Sequence, residues 1–392
     1  MTLHPFMIHV PESALQDLRR RLQSIRWPAV IDAAGWQDGT SLAFLRRLTE
    51  HWCHRFDWRA QEARLNRLPQ FRMTSAEATI HFLHQPGHGP DPLPLVLTHG
   101  WPGSFIEMER LIPLLADPGA SGGDPADAFH VVVPSLPGYG FSPAPSHPGV
   151  GAREIARLWH NLMRALGYER FGAQGGDLGA GVSMWLARQF PGAVRGIHLN
   201  YIPASFRPAL DDATPLSDAE QDFQSRAAAW ALEEGAYAAL HATKPQTLAF
   251  ALADSPVGLA AWIAEKFRSW SDCGGEIERI LPLDALLTDI SLYWFGGDIA
   301  AALRLYKENR QQKLIFAPDE RVTPPLGVAL FPHELPMPPR SWLARVFDVR
   351  RWTHMPAGGH FAALEQPERL AEDIRAFFRP LRAAIRPNGA GG

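Results

Sequence analysis

The chain has 392 residues, 46% apolar and 20% charged, with a formal net charge of −3. That length suits one large α/β domain with an insertion, or two domains, and the near-neutral charge excludes a basic field for nucleic acid or anionic lipid. Two cysteines, Cys53 and Cys273, make no disulfide framework and form no CxxC pair; no metal and no cofactor are expected, and the reducing cytoplasm is the expected compartment.

Residues 1–10 lack a basic n-region and a clean apolar run, so no signal peptide is expected. The most apolar long stretch, Leu248 to Ala264, is broken by Asp254 and Pro256, where a membrane span needs about 18 uninterrupted apolar residues. In residues 12–25, Leu15, Leu18, Leu22 and Ile25 share one helical face. Arg19, Arg20 and Arg21 lie between them and read as a solvated face. A second helix aligns Leu45, Leu48 and Trp52. Residues 55–75 carry Phe56, Trp58, Leu65, Leu68 and Phe71 without clear period and read as an aromatic meander. Residues 1–77 are thus expected to be a clasp on something larger.

The α/β core is expected from near Ala78, with strands at 80–83, 93–98, 129–133, 171–175 and 194–199. One intervening helix carries Leu158, Leu162 and Leu166. Another, after Asp177, carries Val182, Trp185, Leu186 and Phe190. Alternating strands and helices imply right-handed crossovers and a mostly parallel sheet. From about Pro203 to Arg321 strand signals vanish and helical patterns dominate, too long for a loop; an inserted helical cap is expected. Strands resume at 326–331 and 349–353, and a last helix aligns Leu370, Ile374, Phe377 and Phe378. The expected division is an extension (1–77), the first part of the core (78–202), a cap (203–321) and the second part of the core (322–392), with a loose tail at 387–392.

The chemistry centres on Phe171-Gly-Ala-Gln-Gly-Gly-Asp177-Leu-Gly-Ala-Gly. Gly175 and Gly179 flank Asp177 at the spacing of the strand-to-helix nucleophile elbow of α/β-hydrolases. An aspartate at a helix start is also a favoured cap, but small residues on both sides exceed what capping requires. His99-Gly-Trp-Pro102 follows a buried strand, so the backbone N–H groups of Trp101 and Leu178 would form an oxyanion hole. His360 sits in Ala357-Gly-Gly-His-Phe, between the last strand and the last helix, where the base of this fold belongs. Glu334, just after strand 326–331, is the expected triad acid; Asp348 is the alternative, at the opposite end of the sheet.

The usual tenant of such an elbow is serine. Serine attacking an sp³ carbon would give an inert ether, whereas aspartate gives an ester that water can cleave. The electrophile is therefore expected to be an epoxide or a haloalkane. Dehalogenases of this fold generally carry tryptophan after the nucleophile; here Leu178 stands there and offers no side-chain donor. An epoxide needs proton donors at its oxygen, and a phenol can donate at neutral pH. Of the chain's 6 tyrosines, Tyr237, Tyr293 and Tyr306 fall in the expected cap. Trp101, Phe141 and Trp294 are expected to wall an apolar pocket.

Over nearly its whole length the chain resembles the microsomal-type epoxide hydrolases, in a form without a membrane anchor. The resemblance rests on Arg26-Trp-Pro28 and residues 58–71, on His99-Gly-Trp-Pro-Gly-Ser104, Gly175-Gly-Asp-Leu-Gly179 and Gly358-Gly-His-Phe-Ala-Ala-Leu-Glu365, and on Ala242-Thr-Lys-Pro245, Asp254-Ser-Pro-Val-Gly-Leu-Ala-Ala261 and Tyr306-Lys-Glu-Asn309 in the cap. It implies Asp177, Glu334 and His360 as the triad, Tyr237 and Tyr306 as the donors to the epoxide oxygen, and a structural Tyr293. It further implies a cofactor-independent hydrolysis of a small apolar or aromatic epoxide to a vicinal diol, with no nucleic-acid or membrane partner; a homodimer is compatible with the sequence. The rival readings are a haloalkane dehalogenase or an esterase on the same scaffold, disfavoured by Leu178 and by Asp177 respectively, and a non-enzymatic binding protein, which would need no base.

Overall fold

The computed structural model describes residues 1–31, 34–210 and 215–382. One nine-stranded sheet runs through it in the order β1-β2-β3-β5-β4-β6-β7-β8-β9. The strands are β1 (Thr2–Pro5), β2 (Gln70–Thr74), β3 (Thr79–Gln85), β4 (Leu93–Thr98), β5 (Phe129–Pro134), β6 (Phe171–Gly175), β7 (Val194–Leu199), β8 (Val322–Leu330) and β9 (Phe347–His354). Strands β4 to β9 pair in parallel, while β1, β2 and β3 form an antiparallel ribbon that joins β5.

The central strands are apolar on both faces because helices cover both. In β4, Val96 points into one core cluster while Leu95 and Leu97 point into the other, the period-2 alternation of a pleated strand. Three helices of the N-terminal region precede the core, α1 (Glu12–Gln23), α2 (Leu42–His54) and α3 (Trp58–Leu65). Next come α4 (Leu111–Ala116), α5 (Ala152–Ala165) and α6 (Asp177–Gln189). Six helices, α7 (Asp218–Glu233), α8 (Ala236–Thr243), α9 (Pro245–Asp254), α10 (Pro256–Trp270), α11 (Leu283–Phe295) and α12 (Ile299–Gln311), lie between β7 and β8. Short helices α13 (Arg340–Ala344) and α14 (Ala362–Glu365) lead to α15 (Pro367–Arg382). Helices α5 and α6 pack on the Val96 face, and α4 and α15 on the other. No strand of the sheet falls between β7 and β8 among the described residues. No single helix among them is long and apolar enough to cross a bilayer. The tail at 387–392 lies outside the described residues.

Three expectations are corrected. Residues 55–75 are not an irregular meander: they form α3, whose first turn is capped by the Asp57 carboxylate accepting from the Ala60 N–H, and then β2. An eight-residue helix shows too few turns for its period to stand out. The sheet does not begin near Ala78, because β2 forms an antiparallel hairpin with β3 and β1 adds to β2 by non-local antiparallel pairing. Finally, Arg21 is not simply solvated. Its guanidinium donates to the Asp254 backbone carbonyl (2.7 Å) and carboxylate (2.9 Å) at the end of α9. Thr40 donates to the Ala261 carbonyl at 2.7 Å, and His51 meets Asp284 at 2.6 Å. The N-terminal region therefore holds the α9–α11 layer through Arg21, Thr40 and His51, while its strands β1 and β2 widen the sheet.

Candidate active site

Strand β6 ends at Gly175, and α6 starts two residues later with Asp177 in the left-handed region at φ 45°. It is the one non-glycine residue with positive φ among those described. Such a conformation costs on the order of 1–3 kcal/mol and persists only where the surroundings enforce it. The surroundings here leave no room for a Cβ: one at Gly179 would overlap the Thr98 carbonyl, and one at Gly100 would overlap the Asp177 side chain. The turn lifts the carboxylate out of the sheet at the N-terminus of α6, where the helix dipole favours negative charge. Asp177 Oδ1 accepts the Trp101 N–H at 2.8 Å. Leu178, in the first turn of α6, has an N–H without an intrahelical acceptor.

His360 lies beyond β9. Its Nε2 is 3.5 Å from Asp177 Oδ2, and its Nδ1 is 2.6 Å from Glu334 Oε1. Glu334 follows β8, and a parallel bridge between His333 and Gly359 brings the two loops together. Asp348 is exposed at the start of β9 and pairs with Arg350. Burial alone lowers the pKa of His360, but the Glu334 charge, with hydrogen bonds to Asp177 and Glu334, outweighs it and raises the pKa well above 6.5.

The loop carrying His360 is clamped by a residue that sequence reasoning did not assign. The Glu365 carboxylate accepts the N–H groups of Gly359, Phe361 and Asp272, at 2.9, 2.9 and 2.7 Å. The His360 N–H donates to the Trp270 carbonyl at the end of α10. Glu365 stood inside the recognised motif, five residues after His360, but only the folded loop shows its three donors.

Tyr237 on α8 and Tyr306 on α12 face the elbow from above. The Trp101 ring stacks on Tyr237 (centroids 5.2 Å apart, 13° between planes) and meets the edge of Tyr306 at 6.1 Å. His241 edges against Trp101 and Tyr306, each at 4.9 Å. Burial pushes both phenols well above 10, so they remain protonated donors. The Tyr306 hydroxyl is buried, and its one partner is the Tyr237 hydroxyl, met at poor hydrogen-bond geometry. Tyr293 instead donates to the Gly103 carbonyl at 2.7 Å, a structural bond.

Asp177, Leu178, Trp185, Tyr201, Tyr237 and Tyr306 line one cavity of about 400 Å³. A larger one, about 630 Å³, between α9, α12 and the 137–150 loop contains none of the candidate site residues. Two expected wall residues lie elsewhere. Phe141 packs on Phe6, His81 and Phe105, because the segment after β1 covers it. Trp294 sits under the Arg21 guanidinium, 5.7 Å away, on the side of α11 that meets the N-terminal helices. Trp101 reaches the site through its backbone and through its ring against the two tyrosines.

The strand order, the crossover helices and the strained elbow make this an α/β-hydrolase, and the alpha/beta hydrolase fold model matches residues 94–367. The model of the epoxide hydrolase N terminus matches residues 3–108, the part that supplies β1 to β4 and α1 to α3. Epoxide hydrolase 1 of Oryctolagus cuniculus is 37% identical over 402 residues, 96% of this chain and 88% of the relative. The epoxide hydrolase of Aspergillus niger superposes with a TM-score of 0.83 at 34% identity, covering 97% of each chain. The juvenile hormone epoxide hydrolase of Bombyx mori gives 0.85 at 30% identity, covering 98% of this chain and 96% of that one. The chain belongs to the epoxide hydrolase family.

Proposed function

We propose that the enzyme opens a small apolar or aromatic epoxide in two half-reactions on Asp177. The observation that carries this is a carboxylate that shares one apolar cavity with two protonated phenols and is backed, outside that cavity, by the His360–Glu334 pair. The epoxide oxygen binds between the Tyr237 and Tyr306 hydroxyls. Asp177 Oδ2 attacks a ring carbon, the C–O bond breaks, and a phenol protonates the leaving alkoxide. Oδ1 becomes the ester carbonyl and stays in the hole formed by the Trp101 and Leu178 amides.

Esterification also switches His360. Its raised pKa depends partly on the Asp177 charge, and the neutral ester removes that contribution. His360 then releases a proton, which can restore the phenol, and becomes a base held in the correct tautomer by Glu334. It deprotonates water, which attacks the Asp177 carboxyl carbon. The tetrahedral intermediate expels the diol oxygen, reprotonated by His360, and Asp177 keeps one oxygen from water. Leu178 offers a departing halide no side-chain donor, which disfavours dehalogenation. In this scheme residues 203–321 act as a cap that carries the oxygen donors, and residues 1–77 brace it.

A single turnover in ¹⁸O-water tests the scheme. The first diol is expected to carry unlabelled oxygen from Asp177, with label appearing in the Asp177 peptide. Label in the first diol and none in the enzyme would establish direct attack by water and overturn the covalent route.

A further inference from the structure

Asp177 borders a second cavity. It measures about 20 Å³ and is lined on its polar side by His99, Glu107, Gln174, Asn200 and His360, with Met108, Ala362, Ala363 and Leu370 among the apolar lining. That volume holds one water molecule and no organic substrate. Among the described residues, Asp177 is the one shared by this lining and that of the 400 Å³ cavity. The nucleophile thus separates a compartment of substrate size from a compartment of water size.

The polar groups of the small compartment are deeply buried: Glu107 is 9% exposed, Asn200 5% and Gln174 1%. Gln174 donates its amide N–H to Asn200 Oδ1 at 2.8 Å, but its own Oε1 has no partner. A buried amide oxygen left in this way costs on the order of 1–3 kcal/mol unless a water satisfies it. Glu107, in the short helical turn after His99-Gly-Trp-Pro102, folds its carboxyl over Gly103, where a side chain at that position would clash with it.

We propose that this compartment is a dedicated site for the hydrolytic water, with Glu107 and Gln174 as its positioning residues; the proposal rests on the covalent scheme above. The water donates one hydrogen to His360 Nε2 and the other to Gln174 Oε1. Glu107, neutral, donates its O–H to one lone pair, and the remaining lone pair faces the Asp177 carboxyl carbon. Burial above all raises the Glu107 pKa well above 4.5, against the opposing pull of the His360 charge and the Ser104 N–H, which favours the neutral donor. As water adds to the carbon, its first proton passes to His360. Collapse breaks the bond to the alkyl oxygen, which takes that proton and leaves as the diol. Because the alkyl group fills the larger cavity during this step, a water on the opposite side of Asp177 reaches the carbon without displacing it.

The test is rapid mixing with an aromatic epoxide, acid quench and intact mass, on wild type, Glu107→Leu, Glu107→Gln and His360→Gln. Glu107→Leu is expected to alkylate Asp177 at the wild-type rate and hydrolyse the ester about 10- to 100-fold more slowly. Adduct then builds up, kcat and KM fall together, and kcat/KM is preserved. Glu107→Gln, which keeps a donor and an acceptor, is expected to restore most of the loss. If Glu107→Leu does not fold, Gln174→Met is read by the same criteria. Equal slowing of both half-reactions, or wild-type hydrolysis in the folded variant, would overturn the water site. His360→Gln separates the two levels: adduct trapped there while the Glu107 variant behaves as wild type sinks the water site alone. No adduct in His360→Gln sinks the covalent scheme and the water site with it.

Discussion

Replacing Tyr306 by phenylalanine should make the protein more stable and less active. The Tyr306 hydroxyl is buried and meets only the Tyr237 hydroxyl, at poor geometry, and a fully unpaired group of this kind costs on the order of 1–3 kcal/mol. Deleting it, with the ring kept against Trp101 and His241, should recover about 1 kcal/mol. A chain of this size unfolds with an entropy of roughly 0.8 kcal/mol/K, so the melting temperature should rise by about 1 °C. Removing a sole oxyanion donor lowers rates about 10²- to 10³-fold. Tyr237 remains as the second donor, so alkylation should slow about 10- to 100-fold, or roughly 1.4–2.7 kcal/mol of barrier. Rapid-quench measurement of ester formation gives the rate, and scanning calorimetry gives the melting temperature. Ester formation within threefold of wild type would refute the donor role. A fall in melting temperature would refute the claim that the hydroxyl is a poorly paired, costly group kept for the reaction.

His360→Gln should form the Asp177 ester at near-normal rate and then stall, leaving one alkyl group per enzyme by mass; normal turnover would misassign the base. Gly179→Ala forces a methyl group against the Thr98 carbonyl and should destabilise the fold by about 1–3 kcal/mol or more, seen as a lower urea midpoint. Asp289 is buried and accepts a hydrogen bond from Ser104 at 2.7 Å. Burial, partly offset by that bond, raises its pKa from 3.8 to about 8. Between those values the folded state binds more protons than the unfolded chain, so this group's contribution to stability falls as pH rises from about 4 to about 8. Asp289→Asn should flatten that slope in denaturant titrations at pH 5 and pH 8; an unchanged slope would show that Asp289 ionises freely.

The elbow was readable from sequence because its physics is local. Gly175 and Gly179 sit where a sharp strand-to-helix turn tolerates no side chain, and Asp177 between them restricts the electrophile to one whose ester water can cleave. Buried strands such as Leu93–Thr98 are equally plain as short apolar runs. The positions of Glu334 and His360 follow from the chain order of elements around a parallel sheet. Tyr237 and Tyr306 were legible only through the family resemblance, since nothing in their local sequence marks a phenol aimed at a cavity.

Chain order and residue chemistry therefore pointed to the reaction class, to Asp177 as the proposed nucleophile and to His360 and Glu334 as its proposed partners. Tertiary structure decided what surrounds them, because those contacts join residues far apart in sequence. β1 enters the sheet by pairing with β2 across more than sixty residues, which no local periodicity announces. Phe141 and Trp294 look like pocket walls in a list of aromatics, yet Phe6 and Arg21 claim them. The direction of a side chain depends on the elements packed against it, so the small cavity behind Asp177 exists only once the segments after β4, β6, β7 and β9 converge, and the Glu365 clamp only once the loop after β9 meets the end of α10.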